Sequence, residues 1–430
     1  MVSVRAAPLW LAALAAALLT PPPAAGQEAP PEKKYSVRFD ARVVPTERVA
    51  RVAIHLGRGA DRVRWLRFAI DPVRHFEFRG DGRVQVDGES VLWEPPRTGG
   101  VLRYSFWIDH LRNHSSYDAR CAENWALFRG DDLVPPVRVR TVVGASSSSS
   151  LRLRVPEGWS AAAPHQLLPD GTFAIHDPDR RFDRPKGWVV VGKIGVLREH
   201  VAKTRVAVAG PVGQNLRRQD ILALLRWTLP TLRKIVGELP DRIQVVSAGD
   251  PMWRGGLSGP KSVFVHADRP LISPDLSSPI LHELMHTVMS ARSGADGDWV
   301  VEGLAELYSL ELLVRSKTVS RRRHAKALRR IEEKSRGVMS LASEDASGAV
   351  TARAVVLLRE IGLQIEAATG GAASLDDVMR RLCAEGGAVS GERFRRIAEE
   401  VAGRQLPAFA RRELPRSVRT PRPSSPPPAQ

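Results

Sequence analysis

The chain has 430 residues, 43% of them hydrophobic, with 64 basic against 47 acidic side chains and a net charge of +17. That content supports packed cores in about two or three domains and excludes a disordered or fibrous chain. The excess is mostly arginine, scattered along the sequence without a nucleic-acid motif, so it reads as a solvated surface with weak attraction to acidic envelope surfaces or a polyanionic polymer.

Residues 1–26 read as a secretory signal peptide. Arg5 is the charge of the first segment, an apolar run ends at Thr20, and Ala24 and Gly26 are placed for cleavage before Gln27. The run is too short, and too soon broken by Pro21, for a membrane span. The mature chain is expected to be exported, periplasmic or extracellular, with no transmembrane segment. Residues 27–34 form a proline- and charge-rich leader.

From residue 35 to about 206 the pattern alternates at period two, as in Tyr35-Ser-Val-Arg-Phe39, Val49-Ala-Arg-Val-Ala-Ile-His-Leu56 and Val137-Arg-Val-Arg-Thr-Val-Val143. With turns such as Gly80-Asp-Gly at short intervals, this predicts an antiparallel β-sandwich. Ser146 to Ser150 reads as a flexible hairpin tip. His110, His114 and His165 share no ligand spacing and are expected to be ordinary surface or loop histidines. Cys121, with Cys383 further on, is expected to stay a free thiol.

The period then changes. Gln219 to Leu239 carries apolar residues at helical spacing, with Pro230 as a kink or break, and a strand Arg242-Ile-Gln-Val-Val-Ser follows. The glycine-rich stretch Trp253-Arg-Gly-Gly-Leu-Ser leads into a predicted edge strand. Gly255, Gly256, Leu257 and Ser258 are its candidate substrate-binding residues, because glycines let another backbone approach and an edge can pair with an extended peptide.

The stretch Pro279-Ile-Leu-His282-Glu283-Leu-Met-His286-Thr-Val predicts a helix capped by Ser277 or Ser278. Residues four apart share a face, so His282 and His286 can aim both imidazoles at one metal ion. Glu283 sits about 100° round the helix, where it can reach a water beside the metal. This is the zinc metallopeptidase pattern His-Glu-x-x-His. Fifteen residues separate His286 from Glu302, which opens a second helical pattern with Asp298 as expected N-cap. Glu302 is the candidate third ligand. Glu306, one turn on, can accept a hydrogen bond from the spare nitrogen of His282 and fix its tautomer. In an apolar helix, two histidines and a glutamate would be costly without a metal or partners.

Arg321 to Lys334 follows as a very basic helix, with His324 expected to be solvated. The pattern stays helical from 352 to 414. Ser374-Leu-Asp-Asp-Val-Met-Arg380 has the form of a capped start, and the proline-rich residues 415–430 are expected to be disordered.

With these motifs in place, the sequence resembles the gluzincins, and within them the glycyl aminopeptidase-like family, which is similar in plan to the alanyl aminopeptidases. The resemblance rests on the β-rich first part, Arg254-Gly-Gly-Leu, His-Glu-x-x-His, Glu302-Gly-x-Ala, Thr369-Gly-Gly-Ala-Ala-Ser-Leu-Asp-Asp-Val-Met-Arg and Glu399-Glu-Val-Ala-Gly-Arg-Gln-Leu-Pro-Ala-Phe409. It implies an α+β fold: a β-sandwich (35–206), a thermolysin-like catalytic domain (207–318) and a C-terminal helical part (319–414), without the PDZ-like domain common in the family. It also implies Zn2+ on His282, His286 and Glu302, Glu283 as general base, and a peptide or protein substrate. The sequence departs from the family in three places. The His286–Glu302 gap is a few residues short. Ser258 stands where such aminopeptidases hold the substrate amine with an acid. The family's catalytic tyrosine position falls on Thr351-Ala-Arg353-Ala, so Thr351 or Arg353 becomes the candidate oxyanion donor. Tyr308 points to the opposite face of its helix and reads as core. The alternative is a catalytically weak or inactive zinc-binding relative that holds peptide or envelope components.

Overall fold

The computed structural model describes residues 33–176, 181–342, 347–415 and 418. The expected signal peptide, most of the leader and most of the tail lie outside them. The fold is α+β, sheet-rich first and helical later.

The first part is built from seven-, five- and four-stranded sheets around one core. Its period-two reading holds in the first strand, Lys33–Val44, where Val37, Phe39, Ala41 and Val43 are all buried. Two expectations need correction. The sandwich is not wholly antiparallel: Ala145–Arg154 runs parallel to Lys33–Val44, because the chain returns to that strand only after a long excursion through the other sheets. Ser146 to Ser150 is accordingly no hairpin tip but the first half of that strand. Ser147 is buried, and its hydroxyl accepts the Asp183 N–H at 2.7 Å. Small side chains that satisfy their own polar atoms can line a core as well as a loop.

A five-stranded mixed sheet follows, in the order Ile194–Val201, Thr204–Pro211, Arg242–Ala248, Ser262–His266, Gly256–Gly259. It begins at Ile194, ahead of the boundary expected near 206. Among the described residues Gly256–Gly259 pairs only with Ser262–His266 and so forms an edge, as the glycines suggested. Trp125, Leu127 and Trp188 from the sandwich pack on Val246 and Phe264 of this sheet and on Met252 in the loop after Ala248.

Among the described residues the helices are α1 (Gly130–Leu133), α2 (Arg218–Val236), α3 (Pro279–Met289), α4 (Asp298–Arg315), α5 (Arg321–Lys334), α6 (Ala349–Ala368), α7 (Leu375–Glu385) and α8 (Gly391–Ala402). Helix α2 runs through Pro230 without breaking. Ser374 caps α7 in a reciprocal pair with Asp377, as its sequence predicts. One hydrophobic core draws residues from Val201 to Val418, across the division expected at 318. Cys121 and Cys383 are free. No helix of the described residues is long and apolar enough to cross a membrane.

Candidate metal centre

Helix α3 starts where its sequence says. Ser278 accepts from the Leu281 N–H, and Pro279 occupies the first turn, where its missing N–H costs nothing. Ile280, Leu281, Leu284, Met285 and Val288 are buried, so the helix is fixed from several sides. His282, Glu283 and His286 keep partial exposure on the remaining face. The Thr287 hydroxyl donates within reach of the Ser262 carbonyl at 3.1 Å and the Glu283 carbonyl at 3.0 Å, which holds the helix to the hairpin that carries the edge strand.

Helix α4 begins at Asp298, but Gly297 takes the N-cap position and makes no side-chain cap bond. The expected Asp298 cap is thus displaced by one residue. Gly297 lies against strand Gly387–Val389, where a Cβ would stand 1.8 Å from the Val389 carbonyl oxygen. Only glycine fits there. The short loop between the helices is drawn tight by Ala291–Ser293 pairing parallel with Gly387–Val389. Beyond Glu302, a Cβ on Gly303 would meet Ala354 and Leu358 of α6 at 2.8 and 2.7 Å. Close packing of α4 on α6 therefore sets the depth of Glu302 and requires glycine beside it.

These constraints bring three donor atoms together. His282 Nε2 and His286 Nε2 are 3.1 Å apart. The Glu302 carboxylate oxygens lie 3.3 Å from the first and 3.4 Å from the second. Ligands about 2.0–2.1 Å from one tetrahedral zinc ion stand roughly 3.4 Å from each other. The residues therefore fit zinc in both donor type and mutual spacing. The Glu306 carboxylate is 3.2 Å from His282 Nδ1, which fixes the ring so that Nε2 faces the other donors. Replacing Glu306 by alanine is expected to weaken zinc binding about 10–100-fold, measured by competition with a chromophoric chelator, while the protein still folds.

Electrostatics agrees. Burial pushes His282 toward neutrality, yet the Glu302 and Glu306 carboxylates outweigh it and raise its pKa to about 10. Burial would raise Glu302, but the two histidines take it down to about 2.

Glu283 is seated by the edge strand. A Cβ on Gly256 would fall 2.7 Å from Glu283 Cγ and 3.1 Å from its Oε1. A Cβ on Gly255 would meet the Trp253 indole at 2.1 Å. The glycines thus make room for side chains of the chain itself as well as any substrate. Gly256→Ala is expected to displace Glu283 and cut turnover about tenfold or more without loss of zinc; a 1 Å misplacement of a reacting group can cost about 10²-fold. Steady-state kinetics beside metal analysis checks it.

Sequence reasoning missed how the sandwich reaches this strand. The Tyr117 N–H donates to the Pro251 carbonyl at 3.0 Å, and the Trp253 N–H to the Tyr117 carbonyl at 2.7 Å. Arg112 stacks over the Trp253 ring, 5.1 Å from its centroid. Trp188 Nε1 donates to the Leu257 carbonyl at 3.0 Å. Ser258 is half-buried on the same strand. Pairing between segments so far apart in sequence leaves no local signal.

Next to this strand, Asp250, His266 and Asp268 also bring ligand-type atoms within 4.8 Å. Here the Asp268 N–H donates to His266 Nδ1 at 3.2 Å, which puts the proton of the neutral ring on Nε2, 3.4 Å from Asp250. Arg254 bridges both carboxylates. A nitrogen without a free lone pair and a resident guanidinium make this an ion-pair cluster that orders the head of the edge strand.

Of the remaining candidates, Arg353 on α6 is engaged by Glu413, and Thr351 sits half-buried in the first turn of α6. Tyr308 is buried and donates to Asp376 at 3.0 Å, so it belongs to the core. His324 is not solvated as expected: it is 3.3 Å from Glu311, half-covered where α5 packs on α4.

No protein-family sequence pattern matches this chain, and no curated protein matches it in sequence. Solved structures do match it in shape. An aminopeptidase N family protein from Idiomarina loihiensis superposes with a TM-score of 0.61 at 14% identity, over 81% of this chain and 70% of that one. A mutant of the M1 zinc metallopeptidase from Deinococcus radiodurans gives 0.57 at 16% identity, over 89% and 96%. The same mutant bound to a Tyr-Ser-Ala substrate gives 0.55 at 15% identity. At such identities the likeness is one of fold alone: this chain shares the overall architecture of these structures.

Proposed function

We propose that this chain is a zinc-dependent peptidase, exported by its N-terminal segment, that hydrolyses peptide bonds with Glu283 as general base. The observation that carries the reading is the convergence of His282, His286 and Glu302 at 3.1–3.4 Å beside a glutamate seated on an edge strand. The shape shared with M1 metallopeptidases, one of them holding a tripeptide substrate, supports it.

His282, His286 and Glu302 would hold the metal, and Glu306 would orient His282. Bound zinc would lower the pKa of water toward neutrality and polarise the scissile carbonyl. An extended peptide would lie along Gly256–Gly259. Glu283, one residue round the helix from the first ligand, takes the proton of the attacking water and hands it to the leaving amine. A donor for the developing oxyanion would come from the first turn of α6. Thr351 and Arg353 are the candidates, and the Arg353 guanidinium would have to leave Glu413 to serve. Ser258 in place of an acid argues against strict capture of a free N-terminal amine and widens the substrate class to peptides beyond those of a pure aminopeptidase.

The test is turnover of a mixed peptide library by purified protein. Cleavage should stop on chelation and return with one equivalent of zinc per chain. Metal-free protein that ignores added zinc would end this reading.

A further inference from the structure

Helix α5 carries charge that the fold does not use. Its inner residues Ala327 and Leu328 are buried. Its outer face presents Arg322, Lys326, Arg329 and Arg330, flanked by Arg321 and Lys334, all exposed. Among the described residues none of these six makes an ion pair. Glu332 is taken by Arg359, and among the described residues Glu333 is the one acid of the face without an ion pair. Elsewhere among the described residues, arginines without an ion pair, such as Arg42, Arg64 and Arg67, are spread over two strands, and many others are paired. On α7 and α8, Arg381, Arg393 and Arg396 are bound to Glu400, Glu385 and Glu400 in turn.

The arrangement opposes the stability of the helix. Arg322, Lys326, Arg330 and Lys334 repeat at four-residue spacing, so like charges stand over one another. Three arginines occupy the first turn, which has no acid, against the positive end of the helix dipole. Successive cations stand about 6 Å apart along about 18 Å of straight helix.

We propose that this face of α5 docks a linear polymer that carries a phosphate in each repeat. Guanidinium groups grip phosphate oxygens in pairs, and a row of them suits a chain better than a single anion. A membrane suits it less. A helix lying in a bilayer surface buries an apolar face in the headgroup region, and the apolar face of α5 is spent on the core. Met339, exposed five residues beyond the helix, is the reason to include vesicles as a second arm.

The experiment uses the full chain and fluorescently labelled inorganic polyphosphate of about 60 units, followed by anisotropy across a salt series. Four contacts predict a slope of log K against log salt of about −3, from about −0.7 per contact on a single strand. The triple variant Arg322→Glu, Arg329→Glu, Arg330→Glu should lose binding at least tenfold and flatten the slope. Its circular dichroism and thermal midpoint should stay close to wild type, because new acid–lysine pairs at 322/326 and 330/334 offset the new acid–acid pair at 329/333. A second triple variant, Arg42→Glu, Arg64→Glu, Arg67→Glu, makes the same charge change on exposed sandwich arginines and should bind within about twofold of wild type. Equal losses in the two variants would reduce the effect to net charge and overturn the site. So would unchanged binding by the first variant, or capture by phosphatidylglycerol vesicles with no binding of polyphosphate.

Discussion

Glu283→Gln is expected to abolish turnover while zinc stays bound. Glutamine keeps the size of the side chain and its seat against Gly256, so neither the strand nor α3 has reason to move. It cannot accept a proton from water. Positioned acid–base catalysis contributes about 10²–10⁴ in rate, and a glutamate that must both take and return the proton belongs near the top of that range. The measurement is kcat on the best library peptide, beside zinc stoichiometry on the same preparation. Retained turnover would remove Glu283 from its role, whatever the metal content; lost zinc would show that the substitution had disturbed the ligands instead. Gly256→Ala attacks the same proton transfer from the other side of the contact, and the two substitutions combined should cost little more than Glu283→Gln alone.

The second large effect is on the metal. Glu302→Ala leaves two imidazoles without the carboxylate that stands 3.3 and 3.4 Å from them. Loss of an outer partner alone costs about 10–100-fold in affinity, so loss of a ligand should exceed a hundredfold and turnover should vanish with it. Competition with a chelator of known affinity reads this directly. The pH dependence has a definite sign. In the metal-free site His282 is held protonated up to about 10 by Glu302 and Glu306, against the opposing effect of burial. Zinc must displace that proton, so affinity should climb about tenfold per pH unit through neutrality. The same pair stabilises the metal-free fold. For His282 that contribution is complete below its ordinary value of 6.5 and lost as pH rises through about 10. For Glu302 it is complete above 4.5 and lost as pH falls through about 2. Chelated protein should therefore be steadiest between those two ordinary values.

Much of the centre was legible because its information is local. Four-residue spacing on a helix places His282 with His286 and Glu302 with Glu306 whatever surrounds them, and a serine before Pro279 marks where the first helix starts, although only the structure chose Ser278 over Ser277. The edge strand was legible from its glycines. Their use was not, because Glu283 fills the space above Gly256 only once α3 is docked beside the strand, and Trp253, whose ring lies beside Gly255, is held by Arg112 and Tyr117 from the sandwich. Ser146 to Ser150 misled for a related reason: serine has no strong preference of its own, and the neighbouring strand decides between loop and ladder. His324 was read as solvated because its sequence neighbours are charged, but its contact with Glu311 comes from another helix.

Residue order alone was enough for the candidate ligand types, their faces and the proposed base between them, since helical periodicity converts spacing into direction without help from the rest of the chain. That the two helices share one point in space is a property of the closed fold. The tight loop pinned to Gly387–Val389 and the bare surface of Gly303 against α6 set that distance. Both are contacts between segments far apart in the chain, and the energy that selects them exists only after the core has closed.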